Sequence, residues 1–409
     1  MNFATGQSQV DYEQRIDFKS LRKYRISRAN KFMKENEIDA LFLWKDENVR
    51  YLTSLRDIML QYRNCSYHGV LLMQDQDPVL FASGGELERT KKAMPWIKES
   101  YAIPVLHEKN MIDEFIDKCV AKVFKKYNLE KAKIGVDAST FEMIQKLITR
   151  FDNISFVEAD TLMNKARIIK CEEEIKVMRE AAAIADSITE TAIRSIRPGI
   201  KEFEIAGNAM KTLFDLGGEF GHLASPFVAS GERMAPPTRF PTDKIVRNGD
   251  IVFIDIGSSW NGYFGDVGRA FVCGKASEAQ KKIYTAVYDS LKTAISSIKP
   301  GITNKQLTEK FIDTAKKYNL EDHFINLFIG HGIGTAPNEP PYIGESALGA
   351  EEVVLEPGMI FALEPLIWVP DVRGGGGVRI EDSVLITNDG VEVLNRASKD
   401  ESLLLDAYK

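Results

Sequence analysis

The chain has 409 residues, 44% of them hydrophobic and 27% charged, with a formal net charge of −6. This exceeds the roughly 250–300 residues that one hydrophobic core supports, so two domains are expected, and the acidic balance excludes nucleic acid as a main partner. No apolar run approaches the ~18 residues of a membrane span and the polar start lacks a signal-peptide core, so a cytoplasmic protein with no membrane partner is expected. Cys65, Cys119, Cys171 and Cys273 lie far apart without Cys-x-x-Cys spacing and read as reduced thiols.

Residues 1–16 form a polar leader, and 21–37 read as a basic amphipathic helix whose Lys and Arg residues make a solvated face. Ala40–Trp44 reads as a buried strand, with a hairpin of strands 69–73 and 78–81 around 74–77. Helical periodicity over 111–127 and 141–151 flanks a strand at Lys133–Val136. Strands alternating with helices imply an α/β first domain, over 17–157. His68 and His107 stand alone and read as structural groups.

A boundary within Ala159–Cys171 leads to a second domain over 165–409, opening on a long helix from Glu172 to about Arg194. The hexapeptide Ser195-Ile196-Arg197-Pro198-Gly199-Ile200 returns almost unchanged as Ser297-Ile298-Lys299-Pro300-Gly301-Ile302, again between helices, which points to an internal duplication. Further on, Asn248-Gly249-Asp250 precedes an apolar run that ends in Asp255. Gly262 marks a turn, and a returning strand over 267–272 begins at Asp266. Gly358 followed by an apolar run to Glu364 echoes Gly249 to Asp255, and Glu381, read as the acid at the start of the next strand, echoes Asp266. Two facing halves would place four carboxylates around one point, where mutual repulsion and desolvation demand a cation.

Phe328-Ile329-Gly330-His331-Gly332-Ile333-Gly334 adds an apolar strand ending in a histidine between glycines that permit close backbone approach. Four carboxylates and one imidazole suit two divalent ions such as Mn²⁺, Fe²⁺, Co²⁺ or Zn²⁺, with charges that balance. Arg379, two residues before Glu381, reads as sharing its face and could orient these carboxylates or bind a substrate carboxylate. His222 lies near the predicted pocket, and Gly374–Gly377 reads as a flexible turn before the Glu381 strand rather than a phosphate loop.

With these residues in place, the sequence resembles the creatinase and aminopeptidase P family, the pita-bread metallohydrolases. The resemblance spans nearly the whole chain, including Arg167-Ile168-Ile169-Lys170 and Glu173-Glu174-Ile175, and it covers Asp255, Asp266, His331, Glu364 and Glu381 in type, order and approximate spacing. It implies an α+β chain: a creatinase-like N-terminal α/β domain followed by a duplicated pita-bread catalytic domain. It also implies a dinuclear centre, with Glu364 as the carboxylate that shuttles the proton, and a homodimer. Xaa-Pro cleavage of a dipeptide, or hydrolysis of another small amide, is the implied activity. Peptidases of the family usually carry a histidine before the first aspartate, where Thr238 stands here, and another seven residues after the ligand histidine, where Asn338 stands. Thr238 and Asn338 would then line the substrate site, able to donate hydrogen bonds but not to carry charge. That departure keeps open a non-peptidase activity, as a creatinase-like or ectoine-hydrolase-like C–N hydrolase or a dimethylsulfoniopropionate-lyase-like enzyme. A binding module is the third class, though such members have generally lost metal ligands that are all present here.

Overall fold

The computed structural model describes residues 15–56, 68–104, 106, 109–219, 221, 225–236, 240–325, 328–344 and 352–405. They fall into two compact units, Met1–Arg167 and Ile168–Lys409.

The first unit contains α1 (Phe18–Glu35), β1 (Ala40–Leu43), α2 (Asp46–Thr53), β2 (His68–Met73), β3 (Val79–Ala82), α3 (Gly84–Ala93) and β4 (Glu99–Ala102). There follow α4 (Lys109–Phe115), α5 (Ala121–Lys126), β5 (Lys133–Val136), α6 (Phe141–Arg150), β6 (Ser155–Glu158) and α7 (Asp160–Arg167). The strands form one mixed sheet in the order β4-β3-β2-β1-β5-β6, with β2–β3 the expected antiparallel hairpin. Central strands are apolar on both faces because helices cover both: Ala40, Phe42 and Phe81 enter one core, Leu41, Leu43 and Leu80 the other. His68 is buried on β2; His107 and Cys65 lie outside the described residues.

Several elements depart from the sequence reading. The single helix over 111–127 is interrupted, since Ile116–Val120 forms a π-helical stretch between α4 and α5. Strands β4 and β6, the sheet edges, went unread because Glu-Ser-Tyr-Ala and Ser-Phe-Val-Glu bury too little to show an apolar run. Helix α7 occupies a segment that reads as a connector.

The second unit carries the repeat. Helices α8 (Glu172–Ser195) and α9 (Glu202–Asp215) precede β7 (Phe227–Ser230), β8 (Ile251–Asp255), β9 (Ser258–Trp260), β10 (Tyr263–Gly265) and β11 (Gly268–Val272). Helices α10 (Glu278–Ser297) and α11 (Asn304–Lys317) precede β12 (Gly330–Gly332), β13 (Glu339–Ile343), β14 (Ile360–Leu363), β15 (Leu366–Trp368), β16 (Gly377–Arg379), β17 (Asp382–Ile386) and β18 (Val391–Val393). The two hexapeptides make the same turn: Gly199 and Gly301 take φ of +92° and +93°, a left-handed conformation that glycine adopts without strain. Val246 N–H donates to Ile200 O at 2.8 Å, and Leu355 N–H donates to Ile302 O at 2.8 Å, so each copy is tied to the chain entering its own sheet. The duplicated pita-bread architecture is thus built from two helix-pair-and-sheet halves, with sheets ordered β11-β8-β7 and β13-β12-β14-β17-β18.

Gly374–Gly377 is not a flexible turn. A side chain at any of the four would collide with a backbone carbonyl of Gly249, Gly231, Val369 or Met234 respectively, so this run is glycine because other chain segments press against it. Among the described residues, no helix is long and apolar enough to cross a membrane.

Candidate metal centre

The four candidate carboxylates sit at or beside strand ends, because each apolar run can bury its backbone but must turn its terminal acid to something polar. Asp255 closes β8 and pairs across the ladder with Gly268 of β11. The same Gly268 carbonyl accepts from Glu381 N–H at 2.9 Å, which joins the first half to the second. A Cβ on Gly268 would lie 2.8 Å from Glu381 Oε2, so the glycine leaves the space that the carboxylate fills. Asp266 arrives through the β9–β10 hairpin, turned at Asn261-Gly262 with φ of +47° and +77°, the positive pair expected for Asn-Gly. On the other half, His331 is the middle residue of β12, and Glu364 N–H donates to Ile329 O at 2.7 Å, which sets Glu364 beside it. The glycines flanking His331 do permit close approach: side chains there would meet Ala362 O on one strand and Pro340 O on the other.

All five side chains are buried. Donor atoms of Asp266, His331 and Glu381 lie within 4.8 Å of one another. His331 Nε2 stands 3.4 Å from Glu364 Oε1 and 3.7 Å from Asp266 Oδ2. Arg379 joins the remaining acids: its guanidinium is 2.7 Å from Glu364 Oε2, 3.7 Å from Glu381 Oε2, and in direct contact with Asp255 Oδ2. The Arg379 guanidinium also lies over the Phe253 ring, 4.9 Å from its centroid, so it is held from below as well.

The electrostatics of this cluster are those of a cation site. Burial, then the Glu381 and Glu364 carboxylates, push the Asp266 carboxyl well above the usual carboxylate range. Burial likewise raises Glu381, and it lowers the His331 imidazole to about 4. The contact of His331 Nδ1 with Gly332 O at 3.0 Å assigns the ring proton to Nδ1, so neutral Nε2 turns its lone pair towards Glu364 and Asp266. One guanidinium cannot neutralise four carboxylates, and Glu381 Oε2 is buried with no hydrogen-bond donor. Two or more divalent charges fit this oxygen-rich, one-imidazole set.

Of the other candidates, Asn338 is exposed, one residue before β13, while its neighbour Glu339 is buried. Thr238 and His222 lie outside the described residues. Sequence reasoning passed over a buried ion pair, Lys170 Nζ to Glu339 Oε1 at 2.8 Å, with both side chains 1% exposed. It also passed over Tyr342, the direct cross-strand partner of His331. Neither has a local sequence signal, because both depend on which strands pair.

Fold and site together define a metal-dependent peptidase, and the chain belongs to metallopeptidase family M24. That family's pattern matches residues 176–388, and the creatinase/prolidase N-terminal domain pattern matches 25–169. The chain is 31% identical over 379 residues to the Xaa-Pro dipeptidase of Pyrococcus furiosus, covering 92% of this chain and 99% of that one. It is 32% identical to the Xaa-Pro dipeptidase of Pyrococcus horikoshii, covering 92% and 98%. The crystal structure of the prolidase from Pyrococcus horikoshii superposes with a TM-score of 0.77 at 30% identity, covering 92% of this chain and 99% of that one. The Xaa-Pro dipeptidase from Bacillus anthracis gives 0.78 at 27% identity, covering 93% and 99%.

Proposed function

We propose that this protein hydrolyses Xaa-Pro dipeptides at a centre of two divalent ions held by Asp255, Asp266, His331, Glu364 and Glu381. The observation that supports it most is the buried convergence of Asp266, His331 and Glu381 donors within 4.8 Å of one another. Similarity to two Xaa-Pro dipeptidases over nine-tenths of the chain supports the substrate class. The reading takes Mn²⁺, Fe²⁺, Co²⁺ or Zn²⁺ as the ion and a homodimer as the working form, which light scattering after gel filtration checks.

When bound, the ions would polarise the scissile carbonyl and lower the pKa of the attacking water. The chain's own groups do the rest. Glu364 Oε1 stands next to the imidazole and takes the proton from water, then delivers it to the leaving proline nitrogen. Arg379 holds the opposite oxygen, Glu364 Oε2, at 2.7 Å, so the proton-carrying oxygen is fixed in direction. Arg379 is therefore a positioning residue. Burial of the cluster excludes bulk water, which strengthens each of these contacts.

A second reading rests on Thr238 and Asn338, neutral groups at positions where family peptidases usually carry histidines. It makes the substrate a small non-peptide amide. Both readings are separated by assaying Xaa-Pro dipeptides, longer Xaa-Pro peptides, and creatine-like and betaine-like compounds with each of the four ions. Release of free proline from dipeptides supports the first reading; turnover confined to the non-peptide amides overturns it.

A further inference from the structure

We infer that Gln280 is a positioning residue for Arg379, acting from the far end of β8 through the glycine run 374–377. This rests on the reading in which Arg379 holds Glu364, and it adds the group that holds Arg379. Gln280 is the third residue of α10 and closes a capping box: Gln280 N–H donates to Ser277 Oγ at 3.3 Å, and Ser277 N–H donates to Gln280 Oε1 at 2.9 Å. Glutamate would serve that cap equally well. The other side-chain atom is what requires an amide. Gln280 Nε2 donates to Gly249 O at 2.9 Å, to Gly375 O at 3.3 Å and to Arg373 O at 3.4 Å, and the residue is buried. A Cβ on Gly374 would lie 2.9 Å from this nitrogen, so glycine there is what lets the amide reach the backbone of 373–375.

From this clasp two chain segments set out for the metal centre. Ile251 N–H donates to Gly374 O at 2.8 Å, which joins them at the root. Four residues beyond Ile251, β8 ends in Asp255. Five residues beyond Gly374, β16 ends in Arg379, whose guanidinium touches Asp255 Oδ2 and lies 2.7 Å from Glu364 Oε2. At about 3.3 Å per residue, both courses run roughly 13–17 Å. β8 pairs with β7 and β11, and β16 with β15, so among the described residues no ladder between β8 and β16 sets how far one reaches along the other. The Gln280 amide sets it at the root, by holding Gly249 and Gly375 to one point. An extended strand passes an axial shift along with little give, so a slip at the clasp moves Arg379 past Asp255 and Glu364 by a similar distance. A misplacement of about 1 Å arising far from the chemistry can cost about 10²-fold in rate.

The test uses Gln280→Glu, which keeps the cap acceptor but turns an oxygen towards the three carbonyls, and Gln280→Met, which fills the same space with neither donor nor acceptor. Either variant carries the test where the other does not fold. Ser277→Ala is the control, since it weakens the same helix cap without touching the clasp and should leave kcat near the parent value. In the metal-loaded protein, kcat for Ala-Pro should fall about tenfold or more in each Gln280 variant, and by less than about twofold when the same substitution is made in Arg379→Ala, because the residue through which it acts is gone. A general structural lesion would multiply through both backgrounds. Equal factors in the two backgrounds, or a loss in Ser277→Ala as large as that in Gln280→Glu, overturn the proposal. Crystal structures of the metal-free variants separate it from the dipeptidase reading. Withdrawal of the Arg379 guanidinium from Glu364 Oε2, with β8 in place, supports the proposal even where no Xaa-Pro dipeptide is cleaved. An Arg379 that has not moved in Gln280→Glu overturns it even where dipeptides are cleaved.

Discussion

Replacing Lys170 with Met removes a charge that lies 2.8 Å from Glu339 Oε1, a carboxylate whose side chain is itself 1% exposed. Breaking one side of a buried pair costs roughly 3–5 kcal/mol, because the remaining charge is stranded out of water. A folding unit of about 150–250 residues loses about 2–4 °C of melting temperature per kcal/mol, so the second unit should melt roughly 6–20 °C lower in Lys170→Met. The backbone tie of Lys170 N–H to Gly358 O, at 2.9 Å, survives the substitution and does not offset the loss. Changing both residues, Lys170→Met with Glu339→Met, removes both charges and should recover most of the deficit, since replacing a buried pair by apolar groups of similar size is often neutral. The assay is thermal unfolding by calorimetry at fixed metal concentration, since bound ions shift the transition themselves. Glu339 pairs across the ladder with Gly332, next to His331, so weaker metal retention should accompany the loss. A single variant that melts within 2 °C of the parent, or a double variant no better than the single, would refute the reasoning.

Glu364→Gln should keep part of its metal, since an amide oxygen still coordinates, while the rate falls about 10²–10⁴-fold; activity within a few-fold of the parent would make Glu364 a ligand only. Thr238→His with Asn338→His should raise Ala-Pro hydrolysis by about 10²-fold by restoring donors to the developing oxyanion, and a loss instead would show that the native pair is a working peptidase pocket. In the first unit, burial pushes the Asp137 carboxyl up to about 6, against hydrogen bonds from Asn48, Trp44 N–H and Lys45 N–H that pull it down. The folded state therefore holds that proton more tightly than the unfolded chain. The contribution favours folding below about pH 4 and is lost as pH rises through about 6. Urea unfolding should show about 1 kcal/mol less stability at pH 7 than at pH 5 in the parent, relative to Asp137→Asn; equal slopes in the two proteins would contradict it.

Much of the framework is legible because it depends on local pattern. Ala40–Leu43 is a continuous apolar run, Lys133–Val136 a short run of Ile, Gly and Val behind a lysine, and the two Pro-Gly-Ile turns repeat a conformation that only their sequence likeness advertises. The echo of Gly249–Asp255 in Gly358–Glu364 foretold two strands ending in acids because strand, turn and terminal charge all follow one another in sequence. What was illegible depends on register and tertiary contact. Arg379 shares a two-residue spacing with Glu381, but its grip on Asp255 and Glu364 exists only because β16 lies where the two halves meet. The glycine run 374–377 looks flexible in one dimension and is packed in three. Tyr342 belongs beside His331 through β12–β13 pairing, a relation that no spacing along the chain records.

The number of divalent ions bound per chain tests the central claim most directly. Protein stripped with chelator and dialysed against Mn²⁺, then measured by elemental analysis, should hold close to two ions in the parent and clearly fewer in Asp266→Ala and in His331→Ala, with proline release from Ala-Pro appearing only in the loaded parent. Two ions retained in both variants with undiminished proline release, or full activity in the stripped parent, would contradict the account.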